Sequence, residues 1–209
     1  MRLTSKGTMR LASHNSWSYA RPKYWYMYPF RFMARCQNHS IINQWNAGVR
    51  MFDLRLFFSK DGLLVRHGIL SFDISVEKLL ADLQFLNDKG KQEPVYVRVL
   101  LEQNHKVKSQ EYQEQKFAEF CEMIDRTFNK IYFLEGRRKY DLKQLYNSHF
   151  ITPNITHCYS STTSMFGSNK NKWYAKLDDF WPWLYAQIHN ADNYAKHLGS
   201  DNFIMFDFI

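Results

Sequence analysis

Apolar and polar positions change period several times along the chain, and each change marks an element. Residues 8–14, "MRLASHN", read as a short strand running into a loop. Residues 19–35, "YARPKYWYMYPFRFMAR", show no period and are crowded with aromatic and cationic side chains. "SIINQWNAG" reads as a short helix stopped by Gly48. Strand-like stretches follow at 49–58 and 63–67, joined by the turn signal "SKDG". Over residues 75–88, Val76, Leu79, Leu80, Leu83 and Leu86 fall on one helical face, with Ser75 in the N-cap position and Gly90 past the end. "PVYVRVLLE" is a further strand, and residues 109–128 return to helical spacing through Phe117, Phe120, Cys121, Ile124 and Phe128. Short apolar runs at 131–134 and 149–152, a helix over about 177–197 and the terminal strand "NFIMFDFI" complete the pattern.

Strands separated by helices at this spacing predict an α/β fold with a largely parallel sheet. No internal repeat or low-complexity linker divides the chain, so residues 1–209 are expected to form a single domain. For a closed (β/α) barrel the length is near the lower end of the range, and some outer helices should be short or missing. An open sheet accommodates the same pattern.

Ionisable residues interrupt these strands. From Val49 to Phe58 one face carries Val49, Met51, Asp53, Arg55 and Phe57, and the other carries Phe52, Leu54, Leu56 and Phe58. The apolar face belongs against helices, which turns Asp53 and Arg55 towards the inner side of the sheet or the barrel lumen. If "SKDG" folds the chain back as a hairpin, His67 returns opposite Leu54 and Arg55. A buried ion pair with a satisfied core histidine would explain the three one by one. As a trio they are harder to dismiss, because apolar residues would stabilise a core at lower cost. In "PVYVRVLLE", Arg98, Leu100 and Glu102 share a face, with Val95, Val97, Val99 and Leu101 opposite. Asp207 interrupts the last strand and needs a cation or an imidazole. His14, at the end of the first strand, becomes its neighbour if a barrel closes, because functional groups in parallel α/β folds gather at C-terminal strand ends. One carboxylate orienting one histidine, with a second histidine and an arginine opposite, suits acid–base phosphoryl chemistry.

Composition narrows the partners. The net charge of +8 favours an anionic partner, although a solvated basic surface accounts for the same number. The motifs of common nucleic-acid modules are missing from the sequence. Cys36, Cys121 and Cys158 are scattered and odd in number, which excludes a fully paired disulfide set, and Cys121 reads as a buried free thiol. No apolar run approaches a membrane span of about 18 residues and no secretory leader opens the chain, so it reads as soluble or peripheral to a membrane, with a removed signal peptide left open.

The segments "ASHNSWSY", "QWNAGVRMFDLRL", "LLVRHG" and "NFIMFDFI", in that order, resemble the X-domain family of phosphatidylinositol-specific phospholipases C. The resemblance implies a distorted, compact TIM-type (β/α) barrel that cleaves phosphatidylinositol through a cyclic inositol phosphate, releasing diacylglycerol. It implies that His14 is the general base, held by Asp207, and His67 the general acid. Arg55 would stabilise charge on the phosphate, and Asp53 would hold the arginine and the acid in place. "FDLR" is similar to the metal-independent bacterial branch, so no cofactor is expected. Asn15 departs from the bacterial Asp and is similar to the "HN" of the calcium-dependent branch. That keeps calcium open, with Asn15, Asp53 and Glu102 as ligands, and leaves the partner of the general acid undecided. Asn15, Arg98 and Glu102 are the substrate-binding candidates, and a lumenal salt bridge is the other reading of Arg98 and Glu102. A lipid substrate implies peripheral membrane contact, for which Trp25, Tyr26, Tyr28 and Phe30, with Arg21, Lys23 and Arg31 beside them, are the candidates. "KNKWYAK", residues 170–176, is a second candidate. The alternatives are a catalytically inactive inositide-binding module and a related glycerophosphodiester or sphingolipid phosphodiesterase.

Overall fold

The computed structural model describes residues 9–102, 110–138, 141–144, 153–160 and 177–209. Strand β1 (Arg10–Ser13) leads through a helical turn (Ser16–Tyr19) to a second one, Trp25–Phe30, and helix α1 (Arg31–Ala34). Helix α2 (Ile41–Asn46) is capped by Ser40 and ends before Gly48, whose φ of 99° lets the chain turn directly into β2 (Val49–Ser59). A hairpin adds β3 (Gly62–His67) and β4 (Leu70–Phe72). Helix α3 (Val76–Lys89), with the Ser75 hydroxyl accepting from the Lys78 amide, precedes β5 (Val95–Leu101). Helix α4 (Gln110–Thr127), β6 (Ile131–Arg138), β7 (Asp141–Gln144), β8 (Ile155–Cys158), α5 (Leu177–Phe180), α6 (Pro182–His197) and β9 (Phe203–Phe206) follow.

The strands form one sheet in the order β7-β6-β5-β2-β1-β9-β8, parallel from β6 to β8, with β7 antiparallel at one edge and the β3–β4 hairpin branching from β2. It curls into a distorted TIM-type barrel, and among the described residues no ladder joins β7 to β8. The fold is α/β, as the pattern predicts. The three strands β4, β7 and β8 are additions to it. The single helix expected over 177–197 is two, because Pro182 has no N–H to continue α5 and starts α6 instead. Val76 is exposed, at the first turn of α3. The expected element at 149–152 and the segment 170–176 lie outside the described residues.

Apolar groups on the two faces of the sheet explain the packing around its central strands. Phe52, Leu54, Leu56, Val95, Val97, Val99 and Phe133 meet Leu79, Leu83 and Leu86 of α3 and Phe117, Phe120 and Ile124 of α4 outside the sheet. Inside it, Ala12, Met51, Tyr96, Leu134, Phe203 and Met205 form a lumenal layer. One step of two residues along each strand takes that layer from apolar to polar. Ala12 gives way to His14, Met51 to Asp53, Tyr96 to Arg98 and Met205 to Asp207, all buried. Because these strands are parallel, the ionisable groups rise at the same end of the sheet, the end carrying the C-terminal strand edges.

Candidate active site

Strand pairing sets the first contact. β1 lies beside β9 with Ser13 opposite Phe206, so the residues after them, His14 and Asp207, are neighbours. His14 Nδ1 donates to Asp207 Oδ1 at 2.7 Å, across 193 positions of sequence. The other carboxylate oxygen accepts from the Ser160 amide at 3.0 Å. On the opposite edge of the ring, Arg55 Nη2 donates to His14 Nε2 at 2.8 Å. A guanidinium has no lone pair to offer, so Nε2 is bare and the proton of the neutral ring sits on Nδ1. Burial, then the Arg55 charge and His67, hold the imidazole well below its ordinary range, and it is a neutral base at neutral pH. Tyr159 lies flat on the ring, with centroids 3.8 Å apart.

Asp53 organises the cations. In register it faces Arg98 on β5, whose Nε donates to Oδ1 at 2.8 Å. Arg55 Nε and the Asn15 amide both reach Oδ2 at 3.0 Å. Burial works against this charge, but Arg55 and Arg98 outweigh it and hold the carboxyl well below its usual range. Arg55 in turn stays protonated despite burial, through Asp53 and Glu102. The Ser16 hydroxyl accepts from the Asp53 amide at 2.8 Å and ties the loop after His14 to β2. Asp82 of α3 pins that loop from outside through the indole N–H of Trp17 at 3.0 Å.

The hairpin register brings in His67. Leu56 pairs with Val65, which carries His67 up to the level of Leu54, as the turn signal predicts. The rings of His14 and His67 stand 5.2 Å apart at 89°. His67 Nδ1 donates to the Ala34 carbonyl at 2.9 Å, so Nε2 is the nitrogen that gains and releases a proton. Its affinity for that proton is lowered by burial and then by Arg55, against Glu102. Glu102 accepts from the Gly68 amide at 2.7 Å and lies 3.8 Å from the Arg55 guanidinium.

Two buried groups of this cluster keep unpaired polar atoms. Among the described residues neither side-chain amide atom of Asn15 has a partner, and Arg98 Nη1 has none. Asn15 has φ 44° and ψ 58°, a left-handed geometry that Asn tolerates better than most residues.

Asn15, Asp53 and Glu102 do not fit a calcium cage. Both Asp53 oxygens are taken by guanidiniums, and the Arg55 charge lies beside the other acid. His14, Cys36 and His67 offer donor atoms within 4.8 Å of one another. Burial keeps the Cys36 thiol protonated, its Sγ donates to the Ala34 carbonyl at 3.5 Å, and it lies 3.6 Å from His67 Nδ1. That set is a hydrogen-bonded cluster beside a fixed cation. Sequence reasoning missed Cys36, Tyr159 and Ser160, which carry no local signal. It also missed Gln37, whose amide donates to the carbonyls of His14 and Phe206 and clamps β1 to β9.

The fold and this polar group define a class: a distorted TIM-type barrel with two facing histidines and a fixed guanidinium at its C-terminal end. Within that class the chain belongs to the family described as phosphatidylinositol-specific phospholipase C, X domain, which matches residues 12–156. Solved structures agree on the fold. The phosphatidylinositol-specific phospholipase C from Listeria monocytogenes is similar with a TM-score of 0.58 at 17% identity, over 99% of this chain and 91% of that one. A His-to-Tyr variant of the Staphylococcus aureus enzyme gives 0.60 at 15%, over 98% and 88%. A further S. aureus structure, concerned with modulation of that enzyme's membrane binding, gives 0.57 at 15%, over 99% and 89%. No curated protein matches the sequence. Among the described residues no helix is long and apolar enough to cross a membrane.

Proposed function

We propose that the protein is a phospholipase C-like phosphodiesterase that cleaves phosphatidylinositol, or a glycosylated form of it, with residues 1–209 acting as one catalytic unit. In this reading His14 Nε2 takes the proton of the inositol 2-hydroxyl, and the freed oxygen attacks phosphorus. The bond from phosphorus to the diacylglycerol oxygen breaks, and His67 Nε2 delivers its proton to that oxygen. Diacylglycerol and a cyclic inositol phosphate leave. Water then opens the cycle with the two rings in exchanged roles. Arg55 faces the negative charge that grows on the phosphate oxygens, a role for which a guanidinium needs no metal. The unpaired Arg98 Nη1 and Asn15 amide are donors and acceptors for the phosphate and the inositol hydroxyls. Glu102, bonded to Gly68, keeps the hairpin that carries His67 against β5.

The observation that carries this reading is the pair of imidazoles 5.2 Å apart and at right angles, one of them held between a carboxylate and a guanidinium. Contact with the bilayer is assigned to the segment after His14. Trp25 is 83% exposed, and Tyr26, Tyr28 and Phe30 are exposed beside it, on a chain of net charge +8. Phosphorus NMR of phosphatidylinositol vesicles incubated with the protein tests the activity. A cyclic phosphodiester signal should grow with and without chelator, and its absence in both would leave an inactive inositide-binding module.

A further inference from the structure

A cleft of about 320 Å³ opens between the aromatic segment and the last helix, and its lining shares no residue with the catalytic cluster. Its walls include Tyr28, Phe32, Trp181 and Trp183, and two arginines, Arg31 and Arg35, enter it from one side. The rings of Phe32 and Trp181 pack with centroids 5.5 Å apart, and those of Trp181 and Trp183 with centroids 5.8 Å apart, so α1 and the start of α6 form one aromatic wall.

Among the described residues these arginines have no acidic partner: the cleft lining contains no acid and neither arginine forms an ion pair. Arg31 Nε is buried, without a partner among the described residues. Arg35 Nε donates to the Gln37 carbonyl at 3.1 Å, and among the described residues its terminal N–H groups have no side-chain or carbonyl partner. Burial, and then the nearby Arg31, make the Arg35 charge harder to hold. Two guanidiniums side by side in a partly dry cleft favour an anion with several acceptor oxygens, and a phosphate diester is the shape that guanidinium forks match. The walls choose its source. Tyr28, Trp181 and Trp183 are at least 36% exposed, as are Trp25 and Phe30 of the segment proposed to meet the bilayer, so an amphipathic occupant drawn from an interface fits the opening better than a free anion.

We propose that this cleft binds the phosphate of a second, non-substrate anionic phospholipid in the bilayer, with Arg31 and Arg35 on the phosphate and the aromatic wall against the glycerol and upper acyl chain. The inference rests on the membrane-contact reading above but not on turnover. Vesicle partition with and without phosphatidylglycerol, an anionic lipid other than the proposed substrate, tests it. Each charge placed near such a surface is worth about fivefold, so Arg31→Gln with Arg35→Gln should weaken binding to phosphatidylglycerol vesicles by roughly thirtyfold. Binding to phosphatidylcholine vesicles should stay within about twofold. Trp25→Ala should weaken both alike, which separates loss of membrane contact from loss of this site. The single variants, at about fivefold each, carry the test if the double variant does not fold. Unchanged preference for phosphatidylglycerol, or an equal loss on both vesicle types, overturns the proposal. So does thermal stabilisation by inorganic phosphate alone that disappears in the glutamine variants, since that would make the occupant a free anion.

Discussion

Asp207→Asn is the sharpest test of the base. The substitution keeps the volume of a fully buried side chain and removes one charge. His14 Nδ1 lies 2.7 Å from one Asp207 oxygen, and the Ser160 amide lies 3.0 Å from the other. An amide has a single carbonyl oxygen for these two donors. If it serves Ser160, its NH₂ group faces His14 and forces the ring proton onto Nε2, the nitrogen that must be bare. If it serves His14, the tautomer survives but the imidazolium formed in the reaction loses its counter-ion. Charge centres about 4 Å apart at an effective dielectric of about 20 interact by about 4 kcal/mol. At about 1.4 kcal/mol per decade, kcat should fall by roughly three orders of magnitude with little change in KM. Initial rates on phosphatidylinositol in mixed micelles measure it. A thermal melt controls for folding: one lost buried hydrogen bond costs about 1–3 kcal/mol, or a Tm drop of no more than about 10 °C. A folded variant with kcat within tenfold of the parent would refute the role of the pair.

His14→Ala and His67→Ala should each lower turnover by roughly two to four decades while the protein stays folded; near-normal rates in either would remove that ring from the mechanism. The base acts only when neutral, and its affinity for a proton is depressed by burial and Arg55, so the acid limb of kcat/KM should lie below pH 6.5; a limb at or above that value would contradict the geometry. Asp53→Asn leaves two buried guanidiniums without their shared carboxylate and should cost about 3–5 kcal/mol in chemical denaturation, and an unchanged midpoint would show that Asp53 does not hold them. Because Asp53 is depressed in the folded state, its contribution is present above its unfolded pKa and is lost as pH falls towards its folded value, so parent and variant should converge in stability in acid.

The sequence reveals most where the rule is local. Strict alternation in β2 is enough to separate Asp53 and Arg55 from Phe52, Leu54 and Leu56, and "SKDG" sets the register that carries His67 to their level. The pairing of His14 with Asp207 follows from where functional groups gather in parallel sheets, given that the first and last strands are adjacent. Partners supplied by irregular segments leave no such trace. Cys36 and Ala34 sit in a stretch without period, yet both touch His67. Tyr159 follows a four-residue strand, β8, too short for alternation to reveal, yet its ring covers His14. Glu102 shares a face with Arg98, and its bond to Gly68 depends on how far β3 runs back along β2, which no spacing encodes.

Strand β9 lies between β1 and β8, and it alone delivers the carboxylate that sets the tautomer of a histidine near the other end of the chain. A polypeptide emerging from the ribosome therefore carries both imidazoles long before either is poised for chemistry. Until β9 lies beside β1 the first ring lacks its carboxylate partner. In the proposed mechanism, docking of β9 between β1 and β8 and orientation of the base are therefore one event.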